Sequence, residues 1–85
     1  MAPVTHTRTF KPLELQLHGP GKYRHVNTVR GSAECLMDHW PVAEGEKFEK
    51  ALLACLDGME GRVGGEVVRA ALIEAADEAG VRWME

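Results

Sequence analysis

The chain has few of the residues that most enzyme chemistry requires. Its 85 residues include one serine, Ser32, and two cysteines, Cys35 and Cys55. No Gly-x-Ser-x-Gly turn surrounds the serine, which excludes the nucleophile elbow of the hydrolases. No CxxC or HxxxH accompanies the cysteines, so a four-ligand zinc site has nothing to start from. Two cysteines in apolar surroundings read as small buried thiols, reduced in a cytosolic setting, and a Cys35–Cys55 disulfide is a matter of distance that spacing alone does not decide. No apolar run approaches the roughly 20 residues of a membrane helix. The opening residues have no 7–15-residue apolar core of a secretory signal, so the expected compartment is the cytoplasm. Aromatic residues make up 6% of the chain. No Gly-Lys-Ser/Thr ending turns either glycine-rich stretch, His18–Lys22 or Gly61–Gly65, into a phosphate cradle; both read as turns.

What is present is an uneven distribution of charge. The net charge is −3, but residues 1–32 hold five cations against Glu14 alone, a balance of +4. Residues 33–85 hold five cations against twelve acids, a balance of −7. A basic front and an acidic back point either to contacts within the molecule or to an oriented partner.

Periodicity supplies the elements. Residues 1–9 show none and are expected to be a flexible end, with residues 10–85 forming one domain. Leu13-Glu14-Leu15-Gln16-Leu17 alternates strictly, which puts three leucines on one strand face. The turn at 18–22 leads to a second strand, Tyr23 to about Asn27, with Arg24, Val26 and Thr28 on one face and Tyr23, His25 and Asn27 on the other. A first helix is expected from Thr28 as cap to Trp40, its stripe Val29, Ala33, Leu36 and Trp40, closed by Pro41. A second runs from about Glu46 to Asp57, with Phe48, Leu52, Cys55 and Met59 inward and Gly58 as its stop. A third spans about Glu66 to Ala79, with Val68, Leu72, Ala75 and Ala79 inward and Gly80 as terminator. Val81–Met84 can add a short strand. The expected fold is therefore α+β, a small single domain of hairpin, three helices and a C-terminal strand that closes the sheet.

These landmarks, in this order, resemble a known family. The stretches that carry the likeness are Phe10-Lys11-Pro12-Leu13, Val26-Asn27-Thr28-Val29 and Asp38-His39-Trp40-Pro41. They continue with Ala51-Leu52-Leu53-Ala54-Cys55, Val68-Arg69-Ala70-Ala71-Leu72 and Ala75-Ala76-Asp77-Glu78-Ala79-Gly80-Val81. Together they resemble the short proteins of rhizobia and related alpha-proteobacteria grouped as domain of unknown function family 982. The resemblance implies a one-domain α+β fold in a cytoplasmic bacterial protein and carries no assigned activity.

Each candidate group has a plain reading beside its functional one. Cys35 and His39, four apart on a helix, share a face and could supply two metal ligands, but read more simply as a buried thiol beside a half-exposed imidazole. Asp77-Glu78 reads as a solvated helix face. Lys22, Arg24, His25 and Arg30, with Tyr23 among them, could form a positive ribbon against a nucleic-acid backbone. Trp40 and Trp83 either complete the core or anchor a partner. The expectation is a non-catalytic cytoplasmic interaction or regulatory domain that pairs with itself or another protein, with no cofactor, metal or membrane. The alternative is a nucleic-acid-binding adaptor using Lys22, Arg24 and Arg30.

Overall fold

The computed structural model describes residues 9–85; the expected flexible end lies outside the described residues except for Thr9, which opens the first strand. Strands β1 (Thr9–Gln16) and β2 (Tyr23–Thr28) form the hairpin. Helix α1 (Val29–Glu34) continues into a π-helical turn, Cys35–His39. Helices α2 (Glu46–Met59) and α3 (Gly65–Ala79) follow, and β3 (Trp83–Met84) closes the chain. The antiparallel sheet has the order β2-β1-β3, so the first strand is central. This is the α+β architecture expected from the periodicity.

Register places the core. Leu13 faces Val26 and Leu15 faces Arg24 across the hairpin. Leu13 and Leu15 are fully buried and meet Leu36, Phe48, Val68 and Leu72 from the helices, with Leu17, Leu52, Trp40 and Trp83 packed at the rim. Between Thr9 and Leu13 the register shifts, with four steps of β1 opposite two of β2. Pro12 sits in this bulge, where a residue with no N–H removes no ladder bond.

The caps are local at one helix and distant at the next. Thr28 Oγ1 accepts the Gly31 N–H at 2.9 Å, which starts α1 at the earlier of its two candidate caps. The only serine is buried, its hydroxyl donating to the Thr28 carbonyl at 3.1 Å, a back-bond within the helix. The first helix was expected to remain regular to Trp40. Its last turn is instead the wider π form, and Trp40 leaves it in extended backbone, φ −72 and ψ 139, as a residue before proline does. Helices α2 and α3 both end in Schellman geometry. Arg62 N–H donates to the Asp57 carbonyl at 2.8 Å after α2, and Val81 N–H to the Ala76 carbonyl at 2.8 Å after α3.

Two expectations for α2 change. Its terminator is Gly61, with φ 80, and Gly58 lies inside the helix, buried. A Cβ on Gly58 would stand 2.8 Å from Val68 and 3.1 Å from Val29, so this position is where three helices come closest. The buried face is accordingly Phe48, Ala51, Cys55 and Gly58. Met59 and Leu56, expected in or beside the core, turn outward with Leu53, because a small-residue face sits deepest.

Candidate functional site

The six residues singled out from sequence do not converge. Lys22 lies in the exposed turn, and Arg30 is exposed on α1; neither forms an ion pair among the described residues. Arg24 shares the inward face of β2 with Val26, and its guanidinium donates to Glu34 at 3.1 Å. His25 points to the opposite face, where its Nδ1 stands 2.6 Å from a Glu14 carboxylate oxygen. The strand's alternation therefore splits the basic set between two faces, and two of its four members already face an acid. Trp83 is half-buried and its indole N–H donates to Asp77 at 3.0 Å. Trp40 is half-buried as well, with its indole nitrogen shut away from solvent and unpaired among the described residues.

Charge asymmetry becomes contact at two places. Arg24–Glu34 ties the hairpin to α1, and Lys11–Glu85, at 3.3 Å, ties β1 to the residue after β3. Exposed pairs of this kind contribute about 0–1 kcal/mol each, so they orient the layers more than they hold them.

Cys35 and His39 do not act together. Cys35 is buried, and burial raises its thiol pKa, with the nearby Arg24 guanidinium opposing. His39 instead meets His18 of the hairpin turn edge-on, ring centroids 5.1 Å apart. Cys55 is buried too, and its pKa is pushed up to about 12 chiefly by loss of solvent. Both thiols are free, and neither has the lowered pKa of a reactive cysteine. Among the described residues, no three His, Cys, Asp or Glu side chains stand where they would hold one metal ion. No helix there is long and apolar enough to cross a membrane.

The structure adds two features that sequence reading passed over. Glu78 of α3 caps α2 from 30 positions away, accepting the Lys47 N–H and the Phe48 N–H at 3.1 Å each. A carboxylate at a helix N-terminus meets both the free N–H groups and the positive end of the helix dipole. The second feature is a set of large apolar side chains left exposed. Met37, Val42, Leu53, Leu56 and Met59, in the π turn, the connection after it and α2, are all exposed, Leu53 by 60% and Leu56 by 49%. Leucines three apart on one helix share a face, a signal the sequence did contain, but the inward stripe drawn from it was rotated toward Met59.

No curated protein and no solved structure matches the chain. Across residues 11–83, from the strand bulge to Trp83, it matches the family described as protein of unknown function (DUF982), and the chain belongs to that family.

Proposed function

We propose that this domain is a non-catalytic, cytoplasmic protein-interaction module that pairs with a second copy of itself through the outer face of α2. The observation that carries the reading is the exposure of Leu53 and Leu56 on a helix whose inner face, past Phe48, is made of small residues. Burying one leucine fully contributes about 1.5–3 kcal/mol, and in a two-fold pair the same stripe meets itself. A stable interface covers roughly 800 Å² per partner, so the surface includes flanking residues such as Met59. Glu49 and Glu60 lie at either end of the same helical face, and both are exposed. Antiparallel pairing brings them toward each other, so association strengthens as salt screens them.

Sedimentation velocity tests this. A dimer at micromolar concentration that becomes monomeric in Leu53→Glu, with an unchanged fold by circular dichroism, supports the reading. A wild-type monomer at every salt concentration overturns it. The nucleic-acid alternative retains Lys22 and Arg30 as exposed cations. It predicts the reverse salt dependence: binding at about 50 mM salt that falls steeply as salt rises and is lost in the double variant Lys22→Glu, Arg30→Glu.

A further inference from the structure

One carboxylate in the molecule is held in a clamp of two cations. Arg69 of α3 is the least exposed of the ion-paired side chains, 17% against 68% for Lys11. Its Nε donates to the Lys11 carbonyl at 2.9 Å, which fixes the guanidinium plane, and its terminal nitrogen donates to one oxygen of Glu85 at 2.6 Å. The other oxygen of Glu85 takes Lys11 Nζ at 3.3 Å. Each oxygen thus has its own cation, and both partners hold the carboxyl below the usual carboxylate range. Beside the clamp runs an open groove of about 490 Å³ whose apolar wall is Phe10, Ala70 and Ile73. Glu66 and Glu74 stand on its rim.

We propose that the Arg69–Lys11 clamp is a binding site for an apolar-tailed monocarboxylate, occupied within the chain by Glu85. The arriving carboxylate replaces Glu85 between the two cations, and its hydrocarbon tail lies along Phe10, Ala70 and Ile73. Nothing covalent changes: Glu85 moves to solvent, where an ionised carboxylate is well hydrated. Two separate cations, one facing each oxygen, suit a planar two-oxygen anion. Charge favours a single negative charge, because Glu66 and Glu74 line the same groove, Glu74 paired with Lys47, and a phosphate dianion adds repulsion against them. The apolar wall excludes small hydrophilic acids as tight ligands and favours those with a tail to bury. This site is on α3 and β1, away from the α2 surface, so its fate is independent of self-association.

The experiment is amide chemical-shift titration with octanoate, with octanamide and octyl phosphate as the neutral and doubly charged comparisons. Octanoate is expected to shift the amides of Phe10, Lys11, Ala70 and Ile73, and octanamide to leave them in place. Glu85→Ala removes the internal competitor and should bind octanoate about two- to five-fold tighter, the range given by an exposed ion pair. Arg69→Lys keeps the charge but loses the Nε–H bond to the Lys11 carbonyl that fixes the cation, and should weaken binding. Lys11→Gln, at an exposed position with no part in the core, should weaken it without touching the fold. Equal shifts from octanamide, tighter binding of octyl phosphate, or an affinity unmoved by Glu85→Ala would each overturn the proposal.

Discussion

Helices α2 and α3 are almost equal in length, 14 and 15 residues, and divide large and small side chains differently between core and surface. Helix α3 buries Val68 and Leu72 beside Ala75 and Ala76, and exposes chiefly acids, together with Val67 and Ala70. Helix α2 buries Phe48 and then three small residues, Ala51, Cys55 and Gly58, while Leu53 and Leu56 face outward. Past Phe48, the inner face of α2 contributes closeness, whereas α3 mixes bulk with small residues. Close approach multiplies dispersion contacts along two backbones, whereas large side chains gain mainly by leaving water. A helix that contributes closeness has its leucines left over for another surface.

That contrast can be tested by degrees. Leu72→Ala should cost the most, about 2–5 kcal/mol in urea unfolding, because a fully buried leucine leaves a cavity. Gly58→Val should cost about 1–3 kcal/mol from overpacking against Val29 and Val68. A neutral Gly58→Val would mean that the helices are not held at contact distance. The buried thiols test the dryness of the same seam. Burial raises both above the unfolded value, so the folded chain keeps protons that the unfolded chain releases. Stability is therefore flat below about pH 8.5 and falls as pH rises toward 12, by up to about 1.4 kcal/mol per pH unit for each thiol. Cys55→Ala should make that alkaline slope shallower. Smallest is the shared cap: Glu78→Ala should cost roughly 1 kcal/mol and show as faster amide exchange at Lys47 and Phe48.

What sequence shows and what it hides divides along the same line. Alternation from Leu13 to Leu17, the Thr28 cap and the Gly80 terminator are local, and each appears where its spacing says. The family likeness over most of the chain was legible in the order of such landmarks. The role of Gly58 was not, since the residues it must admit, Val29 and Val68, come from two other helices. Glu78 likewise reads as a solvated acid because the N–H donors it accepts from lie about 30 positions earlier. The six residues chosen for function were visible by type. Their separation onto two strand faces, with Arg24 beside Glu34 and His25 beside Glu14, required register and packing to see.

The bulge at Pro12 bears on aggregation. On the side of β1 where β3 lies, β3 pairs only with Glu14 and Leu15. Just upstream, Pro12 offers no N–H and the Lys11 carbonyl is already taken by Arg69. The two sides of one peptide unit are thereby withdrawn from pairing, the nitrogen by the proline ring and the oxygen by Arg69. Of the two edge strands, β3 has only two residues and β2 has six, and the longer edge begins beside Lys22 and carries Arg24 and His25. Charged edges are how sheets discourage unwanted pairing. Cations along the longer edge thus work against sheet-to-sheet pairing between copies, whatever else the hairpin does.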